Sequence, residues 1–269
     1  MEKSYGITHQ TRVGSDQELH LEEIRINGYT ILKDVLNGEE LIEIRRRLDV
    51  LNEAQVREFS REELAGINEL NTVRLPLAYD DYFLKLAAHP SVNDVVRQLL
   101  GDYYILHLQN GIINKPEEEH HQSSWHRDLP YQNFSISSPL AIGALYCIDD
   151  FSEDTGGTIV LPFSHKLETV PSSKYMESHK KQVNAPAGSV VVFDSMILHK
   201  AGFNRSPNIR RAVNHVYVKP LLKQQIDIPK FLGEKYIDDP ALRRFLGYES
   251  QVPESVVAWR INRIKKNSH

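Results

Sequence analysis

One cysteine, Cys147, stands in 269 residues, so no disulfide can close within the chain and a bridge-stapled scaffold is excluded. It lies in the apolar run Ala144-Leu145-Tyr146-Cys147-Ile148, where a buried, inert thiol is expected rather than a nucleophile. No apolar stretch approaches the roughly 20 residues that a membrane-spanning helix needs. A global positive field is missing as well: the formal net charge is −4 and the pI near 6.3, which leaves nothing to recruit nucleic acid. The local clusters Arg45-Arg46-Arg47 and Lys265-Lys266 read as a solvated helix face and a polar tail. Internal repeats and low-complexity tracts are absent, and Met1 to Thr11 carry no apolar signal segment. The expectation is a cytoplasmic protein with neither nucleic acid nor membrane as partner, its oligomeric state unknown.

What is present is ordinary for a globular chain: 41% hydrophobic and 25% charged residues, over a length that suits one domain spanning 1–269. Residues from about 15 to 101 read as largely helical. Asp16 can cap a helix to about Ile26 that Gly28 stops, and a short strand Tyr29–Leu32 follows. From Gly38 the stripe Leu41, Ile44, Leu48 and Leu51 marks a core-facing helix. The charged stretch from Val56 to Asn71 fits a loop or a short helix equally. Helices are expected at Asp81–Ala88 and, led by Pro90-Ser91, at Val92–Leu100.

From about 103 to 220 the texture changes to short β-branched and aromatic runs broken by turn residues. Strands are expected at Tyr103–Gln109, Gly111–Asn114, Leu140–Ile148, Thr158–Leu161, Ser189–Asp194 and Arg211–Lys219. Separators such as Asp154-Thr155-Gly156-Gly157 and Ala185-Pro186-Ala187-Gly188 are strong turn formers. Many short strands so punctuated predict a mainly β fold of jelly-roll type with flanking helices. Helical pattern returns over 221–269, notably at Asp239–Phe245.

Within the β region stands Trp125-His126-Arg127-Asp128. Residues two apart on an extended chain face the same way, so His126 and Asp128 converge from one side. His199 follows the apolar strand Val190-Val191-Val192-Phe193, where a ligand can project from a rigid strand end. Two histidines and one carboxylate on one side of an ion form the facial triad that leaves iron(II) open positions. Arg210 and Arg211 lie a short strand's length beyond His199, and a guanidinium pairs with a carboxylate through two parallel hydrogen bonds. The other histidines read as incidental. His120 and His121, behind Glu117-Glu118-Glu119, suit a polar loop near the pocket mouth, and His107 suits a sheet.

Together these segments resemble the phytanoyl-CoA dioxygenase family of iron(II)/2-oxoglutarate oxygenases over roughly residues 20 to 220. The resemblance rests on Trp125 to Asp128, on Gly156-Gly157-Thr158-Ile159-Val160-Leu161-Pro162-Phe163-Ser164-His165-Lys166, and on His199 through Arg210-Arg211-Ala212. It implies a double-stranded β-helix (jelly-roll or cupin-like) core with iron(II), 2-oxoglutarate and O2 as cofactors. His126, Asp128 and His199 would hold the metal. Arg210, Thr158, Gln109 and Trp125 would line the co-substrate pocket, with Arg211 the rival to Arg210 because a one-residue slip swaps strand faces. Tyr131, Gln132 and Asn133 are candidates to touch substrate. Position 163 is Phe where the family usually has Gly, which implies a wider or more apolar turn. Position 201 is Ala where relatives often carry Ser, so Arg210 needs another helper. Related halogenases replace the metal-binding carboxylate with a small residue, so Asp128 argues for oxygenation, most simply hydroxylation of a small molecule. The alternatives are a non-catalytic jelly-roll protein with a metal or ligand pocket and a cupin-like metal-dependent hydrolase or isomerase.

Overall fold

The computed structural model describes residues 10–129, 134–236 and 238–267. Helix α1 (Asp16–Asn27) is capped by Ser15, whose hydroxyl accepts from the Glu18 amide; Asp16 is its first helical residue, not its cap. Gly28 ends it with φ 90°, and a Cβ there would lie 2.6 Å from His165 Nδ1, so both conformation and space require glycine. Strand β1 (Tyr29–Leu32) leads to a capping box between Asn37 and Glu40 that starts α2 (Gly38–Phe59). Its buried Leu41, Ile44, Leu48 and Leu51, at about 2 kcal/mol each, dock it on the sheet. The ambiguous charged stretch is the end of α2 followed by the short α3 (Arg61–Gly66), joined at Ser60. Then come β2 (Thr72–Arg74), α4 (Pro76–Tyr79), α5 (Tyr82–Ala87) and α6 (Pro90–Leu100).

The two strands expected between Tyr103 and Asn114 are one, β3 (Ile105–Asn114), with a bulge at His107 where the register to its neighbour shifts. The core continues through β4 (Ala141–Cys147), β5 (Ile159–Leu161), α7 (Ser173–His179), β6 (Lys181–Gln182), β7 (Val190–Asp194), β8 (Leu198–Lys200) and β9 (Arg210–Val218). Helices α8 (Ile228–Leu232), α9 (Pro240–Phe245) and α10 (Val256–Asn267) close the chain. A six-stranded antiparallel sheet runs β1-β7-β4-β9-β3-β2, and a smaller one runs β6-β5-β8. No helix among the described residues is long and apolar enough to cross a membrane.

Alternation along β9 divides the molecule. Val213 and Tyr217 face outward into the cluster formed with α2, α5 and α6, whereas Ala212 joins Ile112, Leu145, Val191 and Phe193 against Val160 of the small sheet. Arg210 therefore points between the sheets and Arg211 outside. Arg211 is held there by a two-pronged bond to Asp49 of α2 (2.9 Å on each arm) and by Asp149 at 3.1 Å. Cys147 is fully buried among the inner-face residues, and burial pushes its thiol up to about 12.

Phe163 does not widen its turn. It keeps the left-handed conformation a glycine would take (φ 67°, ψ −9°) and turns its ring to solvent. That conformation costs a side-chain-bearing residue about 1–2 kcal/mol, and glycine's extra freedom in the unfolded chain returns about 0.5–1 kcal/mol of it. Phe163→Gly is thus expected to stabilise the fold by about 0.5–1 kcal/mol, a rise of about 1–4 °C in melting temperature by calorimetry, with turnover unchanged.

Candidate active site

His126 and His199 form a reciprocal bridge: His126 N donates to His199 O at 3.0 Å and His199 N to His126 O at 3.1 Å. Asp128 N donates to Ser195 O at 3.1 Å, so the 126–128 segment is pinned as an added rung beside β8. The three side chains meet. One ligand atom from each of His126, Asp128 and His199 lies within 4.8 Å of the others, and Asp128 Oδ1 stands 3.6 Å from His199 Nε2. The imidazole centroids are 4.3 Å apart.

Each ring is oriented by its own neighbourhood. His126 Nδ1 faces Ser124 O at 2.9 Å and His199 Nδ1 faces Ile197 O at 3.1 Å. A carbonyl can only accept, so both Nδ1 atoms carry the proton and both Nε2 lone pairs point into the cluster. Burial holds the His199 pKa down, with the Asp128 charge partly opposing. Asp128 Oδ2 is buried and has no hydrogen-bond partner among the described residues. Electron-rich atoms without a shared proton are an arrangement that a divalent cation completes, and the N₂O donor set suits a first-row transition metal. The residues present fit the group.

The triad opens onto a cavity walled by Ile112, Leu145, Phe193 and Thr158, with Arg210 beside them. Arg210 is 2% exposed. Its Nη2 donates to Gly156 O at 2.9 Å, its guanidinium lies 4.7 Å from the centre of the Phe151 ring, and its Nε has no partner. Burial pushes its pKa down to about 10. No carboxylate is bonded to it among the described residues. A buried cation lacking its anion is a socket for one.

Two expected pocket residues are elsewhere. Gln109 stands across the ladder from His215 on the outer face, where its amide bonds Leu77 N (2.8 Å), Phe83 O (2.9 Å) and His215 Nε2 (2.7 Å). The bulge at His107 is the cause. Asn110, not Gln109, shares the inner face with Ile112 and Asn114. Trp125 precedes His126 and so takes the opposite face, packing on Leu161, Met176 and Leu198 under Lys200 Nζ (5.0 Å). Thr158 lines the cavity, and Arg211 is held outside it. Tyr131, Gln132 and Asn133 lie outside the described residues. His120 is buried, with burial pushing it down to about 3, while His121 is exposed. His165 faces Arg25 O at 3.2 Å and anchors the end of α1.

Sequence reasoning missed Asn214 and Asn110. They are paired across β9 and β3, and both side-chain Oδ1 atoms are buried without partners. A period-two reading outward from Arg210 reaches Asn214; reaching Asn110 requires knowing the bulge.

A family model described as "Phytanoyl-CoA dioxygenase (PhyH)" matches residues 24–212. An uncharacterized protein of Mycobacterium tuberculosis is 35% identical over 235 residues, covering 84% of each chain. The ectoine dioxygenase of Halomonas elongata is 26% identical over 228 residues, covering 73% of this chain and 68% of its own. Among solved structures, the epimerase SnoN in complex with Fe3+, alpha ketoglutarate and nogalamycin RO superposes with a TM-score of 0.57 at 20% identity, over 76% of this chain and 84% of its own. That likeness establishes the double-stranded β-helix fold.

Proposed function

Because this chain belongs to the phytanoyl-CoA dioxygenase family, we propose that it hydroxylates a small-molecule substrate in an iron(II)- and 2-oxoglutarate-dependent reaction, the whole chain acting as one catalytic domain. The observation that carries this reading is the convergence of His126, Asp128 and His199 on a cavity that also holds a buried guanidinium without a carboxylate. Iron(II) and 2-oxoglutarate, when bound, supply the oxygen activation that C–H oxidation requires, with succinate and carbon dioxide as co-products.

The chain's part is binding, orientation and exclusion of water. His126 and His199 would hold the ion through Nε2 and Asp128 through a carboxylate oxygen. Arg210 would pair with the far carboxylate of the co-substrate, and Thr158, which lines the same cavity, would assist where position 201 offers only a methyl. Ile112, Leu145 and Phe193 keep the chamber dry, which strengthens each of these contacts. The Asn110 and Asn214 carbonyls need donors, and a dianionic 2-oxo acid brings acceptors alone. A substrate bearing a hydroxyl or an N–H beside the reacting carbon satisfies them.

Protein reconstituted anaerobically with iron(II) and 2-oxoglutarate is expected to show the visible charge-transfer band of the chelated co-substrate. With air and a metabolite mixture it is expected to release succinate together with a product heavier by one oxygen atom. Absence of both the band and succinate defeats the oxygenase reading, and a product short of two hydrogens defeats hydroxylation alone.

A further inference from the structure

Arg210 has no salt bridge among the described residues to aim it, and yet a fork-to-fork bond with a carboxylate tolerates little misalignment. Its aim comes from a junction of three chain segments centred on Asn114. This residue ends β3, is 1% exposed and stands directly across the ladder from Arg210. Its Nδ2 donates to Gly202 O at 3.0 Å and to Gly156 O at 3.3 Å, and its own main-chain carbonyl accepts from Asn204 Nδ2 at 2.9 Å. Gly156 O is the same atom that receives Arg210 Nη2. Gly202 N donates to Gly157 O at 3.1 Å and closes the ring.

The junction has no slack. Gly156 has φ 68°, and a Cβ on it would lie 2.6 Å from Gly202 O and 2.8 Å from Asn114 Nδ2. The Asn114 amide thus ties the turn before β5 to the segment after β8, and the position of the Gly156 carbonyl then sets the plane of the guanidinium. Its remaining oxygen, Oδ1, is buried without a partner, as is Arg210 Nε.

We propose that Asn114 is a positioning residue for the co-substrate: by fixing the Gly156–Gly202 junction it aims Arg210 and so sets the preference for a 2-oxo acid with a second carboxylate. This rests on the reading of Arg210 as carboxylate anchor given under Proposed function.

The test compares 2-oxoglutarate with 2-oxopentanoate, which has the same chain length and a methyl in place of the far carboxylate. Each is titrated anaerobically into the iron(II)-loaded protein and followed by the charge-transfer band; iron(II) affinity is measured separately by calorimetry. Wild type is expected to prefer 2-oxoglutarate. Asn114→Leu is expected to lose about tenfold of that preference, all of it on the 2-oxoglutarate side, with 2-oxopentanoate and iron(II) affinities unchanged. Asn114→Asp is expected to lose more, because it sets a carboxylate across the ladder from Arg210 and supplies the guanidinium's partner from within.

A purely structural role weakens both 2-oxo acids alike, and that result overturns the proposal. So does full retention of the preference in either variant. Should the leucine variant fail to fold, Asn114→Ser, which removes the amide donor and adds no charge, decides by the same criterion. A wild type that shows no band, or does not distinguish the two acids, defeats the reading of Arg210 and this proposal with it; a wild type that distinguishes them beside variants that do so equally defeats the proposal alone.

Discussion

Asp128→Asn is expected to lower succinate formation by about three orders of magnitude or more, since a bound metal supplies several kcal/mol and each 1.4 kcal/mol is a factor of ten. The metal-free protein should melt no lower than wild type. The two results come from one cause. Asp128 Oδ2 is buried without a partner, and Oδ1 faces the neutral Nε2 of His199 at 3.6 Å. The carboxylate is therefore stabilised by little in the metal-free fold and by a great deal in the loaded one. Asparagine keeps the shape, drops the charge and can donate its amide to His199 Nε2. Iron(II) should raise the melting temperature of wild type in proportion to its occupancy and leave the variant unmoved. His126→Ala should behave alike in turnover. A variant that still binds iron(II) with wild-type affinity, or still forms succinate, would remove the triad from the mechanism. A jelly-roll protein that merely bound a partner would retain that binding in both variants.

How legible was this in the chain? The triad was readable because its logic is local: period-two facing for His126 and Asp128, and a strand end for His199. Helices α1, α2, α5 and α6 were readable because their apolar stripes and glycine or proline punctuation are strong, whereas α3 was left undecided and the four-residue α4 carries too little pattern to be seen. What failed failed at register. A bulge of one residue at His107 turns Gln109 outward and Asn110 inward, and nothing in the composition of that strand announces it. Trp125 fell to the same rule in plainer form, since the residue beside a ligand on a strand faces away from it. β8 and β6 were overlooked because strands of three and two residues carry too little pattern. The junction at Asn114 is the least legible of all, for its partners Gly156 and Gly202 are distant in sequence and are recognised through their main-chain carbonyls.

The arginine pair gives opposite signs. Arg210→Met is expected to weaken 2-oxoglutarate binding by about 2–5 kcal/mol, the usual loss when one partner of a buried charge pair is truncated. It should leave 2-oxopentanoate binding intact and keep or raise the melting temperature. Arg210 is a buried cation whose guanidinium donates to Gly156 O and to no carboxylate among the described residues, and that carbonyl retains the Asn114 amide when the guanidinium is gone. A methionine of similar length spares the desolvation of a charge that lacks a protein counter-ion. Stability and function are therefore opposed at this position, as expected where a site is held ready for a ligand's charge. Arg211 has the reverse energetics. It bridges Asp49 and Asp149 and ties α2 to the sheet, so Arg211→Met should lower the melting temperature and leave co-substrate affinity as it was. The two variants, measured side by side for 2-oxoglutarate affinity and melting temperature, assign the anchor: if Arg211→Met loses the co-substrate and Arg210→Met does not, the inner face of β9 has been misassigned.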